Sequence, residues 1–349
     1  MRAPFIYSDK LARYKFTDDH PLRQERLRLT FELCRKYGLL EDEDVVNPKD
    51  ATKKDLLLAH SSSYVDAVEA ISEGSFSENP TIYGLGTPDN PTFKSMFKAA
   101  LEYIGATLES LNFVNKEKRC FVISGGMHHA KWDRASGFCI FNDVSILIRK
   151  LLRRFSRIAY IDIDAHHSDG VQEAFYDTDE VLTISLHESG FFLFPGTGFQ
   201  NEIGKGKGIG YSVNLPLPPF TTDNMYLEAF REIVPPLIRK YKPQVLISQL
   251  GVDTHFKDPL TNMNLTVQGF AKVVGAILKL SSRWIALGGG GYDIDVVARA
   301  WTLAYAQMKG KPLIEELYDE FSPAESEKVR FKVYKALREL KEVNPLFDF

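Results

Sequence analysis

Cysteine is scarce in this sequence and irregularly placed. The 349 residues include three, Cys34, Cys120 and Cys139, and no two of them form a C-x-x-C pair. An odd number of widely separated cysteines argues against a disulfide framework and against a zinc site built from cysteines. The pattern suits a reducing compartment, so we expect a cytoplasmic protein.

Long apolar segments and an excess of one charge are also lacking. No stretch is long enough to span a bilayer, and residues 1–10 lack the apolar run of a signal peptide. The net charge is −3 with 26% charged residues, a balance that gives no general attraction to nucleic acid or to a membrane. We therefore expect no direct nucleic-acid partner and no membrane partner, and no pattern fixes the oligomeric state.

Hydrophobic residues make up 44% of the chain, which is enough to bury a large core. We find no low-complexity linker and no internal repeat, so a single domain over residues 1–349 is the simplest prediction. Residues 23–37 and 92–111 have the pattern of helices, and residues 50–72 that of one or two more. Residues 75–91 are rich in Gly, Pro, Ser and Asn and form a predicted surface loop.

Six short apolar runs indicate buried strands. They occupy residues 120–123, 158–163, 181–186, 211–215, 245–250 and 284–287. Runs rich in Val, Ile and Leu that alternate with helical or loop segments are typical of parallel strands in an α/β fold. The N-terminal helices would cover this sheet.

Polar strings follow most of these predicted strands. SGGMHH follows the first, DAHHSDG the second, His187 the third, GVD the fifth and GGGGY the sixth, so that five of the eight histidines lie at strand ends. Open parallel sheets bind ligands at the carboxyl ends of their strands. We therefore predict the functional site at this edge of the sheet.

Asp164, His166 and Asp253 have the placement of metal ligands. Asp162 and Asp164 are two apart on one strand and point the same way, and His166 lies just beyond. Asp253 adds a ligand from another strand, and three protein ligands leave a position open for water, as in catalytic zinc sites. The set suits zinc or ferrous iron. The alternative, a helix-capping Asp164 and a structural His166, does not explain why all three ligands lie at strand ends.

His128 and His129 lie in a glycine-flanked turn, where the backbone can approach a ligand closely. Because the metal has three ligands without them, both are available as general base and general acid near neutral pH. Asp162 and Asp169 are the carboxylates available to orient them. The competing interpretation is that both histidines are ordinary polar turn residues.

Tyr292 follows four glycines, which would place a phenol on a mobile backbone, where its hydroxyl could donate to an oxyanion. The sequence has no phosphate-binding glycine motif, so nucleotide binding is set aside. Phe138 and Phe194 lie on glycine-rich loops near the strand ends. They either belong to the core or form the walls of a narrow apolar slot for an aliphatic chain.

Several of these strings together resemble the histone deacetylase family, in its class I-like branch with the prokaryotic relatives that include the acetoin-utilization proteins. They are HPLRQER at residues 20–26, GGMHHA at 125–130, IDIDAHHSDGV at 161–171, FPGTG at 194–198 and GGGGY at 288–292. The resemblance spans almost the whole chain in matching order. It implies the arginase/deacetylase α/β fold, with a central, mainly parallel eight-stranded sheet flanked by helices.

The resemblance also implies a reaction, which is hydrolysis of the acetyl amide of acetylated lysine side chains in a protein or peptide, with release of acetate and free lysine. One zinc ion, or Fe²⁺ in its place, would activate the attacking water. The residues implied are Asp164, His166 and Asp253 as metal ligands, His128 and His129 as the base and acid pair backed by Asp162 and Asp169, and Tyr292 as the oxyanion donor.

Substrate contacts follow from the same resemblance. The family's acyl-lysine tunnel and rim aspartate correspond to Gly137, Phe138, Phe194 and Asp89. Arg26 matches the arginine of an internal channel for acetate release. Leu260 stands where polyamine-specific relatives carry an acidic gatekeeper, which favours acetyl-lysine over a cationic acetylpolyamine. The alternative is that Leu260 only packs the loop.

The family also binds structural monovalent cations, usually potassium, at two places. The residues that correspond to the first are Asp162, Asp164, His166, Ser185 and Leu186, and those that correspond to the second are Phe175, Thr178, Val181 and Tyr211. Several of these would bind through backbone carbonyl oxygens.

Three other functions compete with a protein deacetylase. They are an amidohydrolase for small acylated amines such as acetylpolyamines, an acyl-lysine binding protein without turnover, and a binuclear manganese ureohydrolase on the same fold. The last needs further metal-bridging aspartates, whereas the string LGVDTH at residues 250–255 offers one clear ligand.

Overall fold

A parallel sheet runs through the centre of the computed structural model, which describes residues 3–76, 78–114 and 119–347. Across the sheet the order is β2-β1-β3-β8-β7-β4-β5-β6, and every pairing is parallel. The predicted eight-stranded α/β fold is confirmed, and the sheet is wholly parallel. In chain order the strands are β1 (Phe5–Ile6), β2 (Val45–Val46), β3 (Arg119–Val122), β4 (Ile158–Asp162), β5 (Val181–Glu188), β6 (Ser212–Leu217), β7 (Val245–Gln249) and β8 (Trp284–Leu287).

The six strands predicted from apolar runs are all present, with ends that differ by up to two residues. Every residue of β4, β5, β7 and β8 is buried, which explains why these strands read as continuous apolar runs. The sequence reasoning missed β1 and β2. Each has two residues and pairs only because the tertiary structure brings it beside a neighbour, so neither leaves a pattern in the sequence.

The helices predicted in the N-terminal part are present with shifted ends. The helix predicted at 23–37 spans 25–36, the range 50–72 contains two helices, and the helix predicted at 92–111 starts at residue 96, after Ser95 at φ 64°. Within its described residues the predicted loop 75–91 contains one 3-10 turn, Pro80–Tyr83. The helices are α1 (Glu25–Lys36), α2 (Lys53–Leu56), α3 (Ser62–Glu73), α4 (Met96–Glu109), α5 (Asp143–Leu151), α6 (Asp169–Ala174), α7 (Asp223–Tyr241), α8 (Val267–Ile277), α9 (Ile294–Met308) and α10 (Glu327–Val343).

The helices pack against one another in two series. One runs from α10 through α7, α8 and α9 to α1, and the other from α3 through α4 and α5 to α6. Their buried faces join the sheet in one continuous hydrophobic cluster, which includes residues from Ala3 to Phe347. Among the residues described, none of these helices combines the length and the apolar character that a membrane crossing requires.

The strand order brings distant parts of the sequence together. Strands β3, β8, β7 and β4 are neighbours in the middle of the sheet, although β7 and β8 come more than eighty residues after β4 in the chain. Because the sheet is wholly parallel, their carboxyl ends lie at the same edge. The polar strings that follow these four strands therefore meet at a single place.

Two glycines in helices differ in how closely neighbouring atoms approach them. A Cβ atom on Gly105 in α4 would lie 2.0 Å from the carbonyl oxygen of Lys49, whereas on Gly275 in α8 it would meet only the end of the Gln307 side chain, at 2.6 Å. Backbone cannot move as cheaply as a flexible side chain. Gly105→Ala should lower the free energy of unfolding by about 1–3 kcal/mol.

Gly275→Ala is the matched control. The same substitution there should leave stability unchanged or raise it by up to about 1 kcal/mol, because alanine favours the helix. Urea unfolding followed by circular dichroism measures both variants. Equal unfolding midpoints for the two would contradict the close packing of α4.

Candidate active site

Three side chains of ligand type converge at the carboxyl edge of the sheet. Asp164 and His166 follow β4, and Asp253 follows the neighbouring strand β7. Nδ1 of His166 lies 3.1 Å from Oδ1 of Asp164 and 2.9 Å from Oδ2 of Asp253, and all three ligand atoms lie within 4.8 Å of one another. The structure thus brings together the three residues predicted as metal ligands.

Hydrogen bonds fix the orientation of both carboxylates. Oδ2 of Asp164 accepts from the side-chain amide of Gln249 at 2.6 Å and from the backbone N–H of Gly290 at 2.8 Å. Oδ1 of Asp253 accepts from the backbone N–H of Ala165 at 2.7 Å. In each carboxylate, one oxygen accepts these hydrogen bonds and the other faces His166. Hydrogen bonds of this kind commonly orient the ligands of a metal site.

The charges of this cluster fit a cation. Asp164 and Asp253 are fully buried, and burial together with the charge of Asp164 raises the pKa of Asp253 well above its usual value. Burial lowers the pKa of His166, but its hydrogen bonds to the two carboxylates outweigh burial and raise it. Two buried carboxylates side by side are costly unless positive charge lies between them. With two oxygen donors and one imidazole nitrogen, the cluster fits a divalent transition-metal ion.

The two neighbouring histidines each contact one aspartate. Nδ1 of His128 lies 2.7 Å from Asp162, and Nδ1 of His129 lies 2.7 Å from Asp169. Their Nε2 atoms are 3.0 Å apart. If both Nδ1 atoms donate to carboxylates, the contact between the Nε2 atoms is a hydrogen bond only when one of them carries a proton. The geometry therefore favours a pair that shares one additional proton.

The surroundings of the two histidines differ in charge. Burial lowers the pKa of His128, but the charges of Asp162 and Asp164 outweigh burial and raise it to about 9. Burial and the charge of His128 lower the pKa of His129 to about 4. The carboxylate behind His129 also has a cationic partner, because Nζ of Lys131 lies 2.8 Å from Asp169.

Tyr292 lies on a backbone that the structure holds in place. Arg26 donates to the carbonyl oxygens of Gly289 at 2.8 Å and Gly291 at 3.0 Å, and the backbone N–H of Tyr292 donates to Asp258 at 2.9 Å. These hydrogen bonds restrain the segment predicted from the sequence to be mobile. The Tyr292 ring lies edge-on to His166, with ring centroids 6.4 Å apart.

Aromatic rings stand on both sides of this cluster. Phe194 lies edge-on to His129 with centroids 5.1 Å apart, and Phe138 lies edge-on to Tyr292 at 5.6 Å. Between them only glycine fits at position 137, since a Cβ there would lie 2.4 Å from the His129 ring and 2.8 Å from that of Phe194. Phe194 is 42% exposed and Phe138 is half-buried. Phe194 therefore lies largely at the surface, whereas Phe138 packs against the hydrophobic core, and a slot between the two rings stays a prediction.

The two predicted rim residues are connected to the site through intermediates. Asp89 is exposed, and its carbonyl oxygen lies 3.2 Å from Nε2 of His20, whose ring packs against Phe138. Leu260 donates its backbone N–H to Asp258, the same carboxylate that binds the backbone of Tyr292. Burial raises the pKa of Asp258 to about 6.

The two groups of residues predicted to bind potassium lie at opposite ends of the strands. In the first group, Ser185 lies directly opposite Asp162 in the pairing of β4 with β5, and the carbonyl oxygen of Leu186 accepts from Tyr226. The second group lies at the amino ends of the strands, where Val181 begins β5 and Tyr211 precedes β6. Phe175 and Thr178 precede β5, and the backbone N–H of Thr178 donates to the carbonyl oxygen of Phe175 at 3.5 Å.

The prediction that His187 follows its strand is wrong. Strand β5 continues to Glu188, so His187 lies inside it, fully buried. Its ring nitrogens lie 2.8 Å from Oγ of Ser185 and 2.9 Å from the carbonyl oxygen of Gly198. His187 thus anchors the loop that carries Phe194 and is not part of the ligand cluster.

Sequence reasoning assigned no role to four residues that support the site. Gln249 holds Asp164, and Asp258 holds the backbone of Tyr292. Lys131 contacts Asp169, and the ring of His20 packs against Phe138. The sequence does indicate a contact for Gln249, because a polar residue at the end of a buried apolar strand needs a hydrogen-bond partner. The others lie in loops, where sequence alone does not reveal the contact.

Known proteins match both the sequence and the fold. The family described as "Histone deacetylase domain" matches residues 20–308. The acetoin utilization protein AcuC of Bacillus subtilis is 42% identical over 316 residues, covering 88% of this chain and 82% of that protein. AcuC of a Staphylococcus aureus strain is 40% identical over 322 residues, covering 89% of this chain and 83% of that protein.

Two crystal structures share the fold over nearly the whole chain. One is of an HDAC homolog complexed with SAHA, with a TM-score of 0.89 and 33% identity, and it covers 97% of this chain and 100% of that chain. The other is of an HDAC homolog from Aquifex aeolicus, with a TM-score of 0.89 and 32% identity over the same shares.

The contact between Gln249 and Asp164 can be tested through metal affinity. Gln249→Leu removes the side-chain amide that donates to Oδ2 of Asp164. Without this hydrogen bond, the carboxylate should turn away from the ligand cluster. We expect metal affinity to fall by roughly 10- to 100-fold while the protein stays folded. Competition with a chelator measures the affinity, and circular dichroism measures folding.

Gln244→Leu is the control, because Gln244 lies just before the other end of β7 and binds the backbone of Ser156 instead. Metal affinity should be unchanged there. If the two leucine variants bind metal alike, Gln249 does not orient Asp164.

Proposed function

The chain belongs to the histone deacetylase family, and we propose that it hydrolyses the acetyl amide of acetylated lysine side chains in proteins or peptides, releasing acetate and free lysine. The observation that carries the proposal is that four groups of side chains lie close together. A cluster of residues that could bind a metal, a pair of histidines in contact through their Nε2 atoms, a tyrosine and the rings of Phe138 and Phe194 all lie at one sheet edge.

Asp164, His166 and Asp253 would hold the ion, which this proposal takes to be Zn²⁺ with Fe²⁺ as the alternative. When bound, the ion supplies a Lewis acid that polarises the amide carbonyl and makes water a better nucleophile. Gln249, Gly290 and Ala165 keep the ligand oxygens turned toward the site.

The histidine pair carries the protons. One histidine takes a proton from the attacking water, and His129 then gives a proton to the departing lysine amine. Asp162 and Asp169 keep each Nδ1 occupied as a donor, so that both Nε2 atoms remain available for these transfers. Lys131, which pairs with Asp169, weakens the hold of that carboxylate on a positive charge at His129. This makes His129 the better acid of the two.

The remaining residues bind the substrate. Tyr292 donates its hydroxyl to the oxyanion that forms from the acetyl carbonyl. Phe138 and Phe194, with Gly137 between them, hold the aliphatic stem of the lysine, and Asp89 accepts from the peptide backbone at the rim. Arg26 borders the interior route for acetate.

Two structural potassium ions and a cytoplasmic location belong to the same proposal. The first potassium set surrounds the β4 and β5 ends beside the ligand cluster, where bound K⁺ would stiffen the segment of Asp162, Asp164 and His166 together with Ser185 and Leu186. Phe175, Thr178, Val181 and Tyr211 form the second. The three free, buried cysteines support a reducing compartment.

Removing the Tyr292 hydroxyl tests the reaction. Tyr292→Phe should lower kcat on an acetyl-lysine peptide by about 10²- to 10³-fold, because the oxyanion loses a donor that acts mainly in the transition state. Metal content should stay near one ion per chain, since Tyr292 is not among the ligands. An acetate-release assay and elemental analysis measure the two quantities, and the second also reports whether the ion is zinc.

Tyr334→Phe is the matched control on the surface of α10, where the tyrosine hydroxyl contacts Glu228 and Arg330, far from the ligand cluster in sequence. It should keep wild-type turnover. Wild-type turnover in Tyr292→Phe would overturn the oxyanion role. A metal-loaded wild type that releases no acetate from any acylated amine would instead favour a binding protein.

Leu260 tests the choice between acetyl-lysine and small acylated amines. Leu260→Glu places a carboxylate on the loop that Asp258 joins to Tyr292, and it should favour a cationic substrate. The ratio of kcat/KM for N-acetylputrescine to that for an acetyl-lysine peptide should rise about tenfold or more, since one ion pair of partly buried charges is worth at least that factor.

Leu260→Gln has nearly the same shape without the charge and should leave this ratio close to that of the wild type. A wild type that already prefers N-acetylputrescine would replace the protein deacetylase by the small-amine amidohydrolase.

A further inference from the structure

Two large aromatic side chains beside the proposed active site face solvent. Phe191 and Phe192 are 80% and 61% exposed, and both lie in the loop that follows β5. Phe194, two residues further along, contacts the ring of His129. Aromatic surface of this size is unfavourable in water, and exposed apolar patches commonly mark a place where another molecule binds.

The loop holds these rings in a defined position. The backbone N–H of Phe192 donates to Ser189 at 2.8 Å, and the Phe191 ring packs against that of Phe199, with centroids 4.7 Å apart. Further along, Oγ1 of Thr197 lies 2.9 Å from Nδ1 of His167. The exposure of the two phenylalanines is thus a property of a fixed loop.

This loop carries no charge. Residues 189–201 contain no Asp, Glu, Lys or Arg, whereas 26% of the whole chain is charged. A surface made of aromatic side chains and backbone gains binding energy from apolar groups and offers no ion pair to charged ones.

The distance to the catalytic centre decides which molecule can bind there. Phe192 and Phe191 are two and three residues from Phe194, so their Cα atoms lie within about 8 and 11 Å of its Cα atom. An extended peptide advances about 3.3–3.6 Å per residue. A substrate whose acylated lysine passes Phe194 can therefore place its next one to three residues over Phe191 and Phe192.

We propose that Phe191 and Phe192 select substrates that carry a large apolar side chain one to three residues from the acylated lysine. The proposal rests on the proposed deacetylase function. It adds which kind of residue the substrate carries beside the acylated lysine. Phe191 and Phe192 lie in the same loop as Phe194, so one extended peptide can contact all three.

Two acetyl-lysine peptides test this, one with leucine and phenylalanine next to the modified lysine and one with glycines in those positions. The wild type should have a kcat/KM about tenfold higher on the apolar peptide, the amount expected from burying one large apolar side chain. The double variant Phe191→Ser, Phe192→Ser should lose this preference and keep the wild-type kcat/KM on the glycine peptide.

Phe331→Ser is the matched control, since Phe331 is a 70% exposed phenylalanine on α10. It should keep the wild-type ratio. Equal ratios in the wild type and the double variant would overturn the proposal. If the double variant then also differs from the wild type in sedimentation or in binding to lipid vesicles, the surface serves a second copy of the chain or a membrane instead.

A separate outcome concerns the function on which the proposal rests. If the metal-loaded wild type hydrolyses neither peptide, the deacetylase function fails. The dissociation constants of the two peptides, measured with wild type and double variant by fluorescence titration, then still test the surface. Equal affinities for both peptides would overturn it.

Discussion

Two carboxylates, Asp164 and Asp253, are buried side by side at the ends of adjacent strands, and like charges in such a place require compensation. Much of the surrounding structure provides it. Amide donors from Gln249, Gly290 and Ala165 occupy the outer oxygens, and His166 lies between the inner ones. The amide donors carry no charge themselves, so the oxygens that face His166 remain available to a cation.

The two adjacent histidines beside this cluster have similar hydrogen bonds but different electrostatic surroundings. His128 and His129 each contact one aspartate at the same distance, but only Asp169 has a lysine behind it. A carboxylate that is already paired stabilises a charged imidazole less. Two adjacent, identical side chains thereby have pKa values shifted in opposite directions, although their distances to the aspartates are equal.

The central strands and the ligand residues could be predicted because β4, β7 and β8 are continuous apolar runs that end in polar strings. Strands β1 and β2 could not, since two-residue strands have no periodicity and exist through their neighbours. The burial of His187 inside β5 was missed because a polar residue that satisfies its hydrogen bonds within a strand looks like a strand end in sequence. Contacts made by loop residues such as Lys131 depend on tertiary structure, which a single sequence does not encode locally.

The order of the strands has a consequence for folding. Strands β3 and β4 are made early in synthesis but do not pair with each other, because β8 and β7 take the two positions between them. The middle of the sheet is therefore incomplete until the last third of the chain has left the ribosome. Contacts between such distant segments slow folding. A chain interrupted before β7 would have Asp164 and His166 but neither Asp253 nor Gln249, so such a fragment would lack a complete ligand cluster.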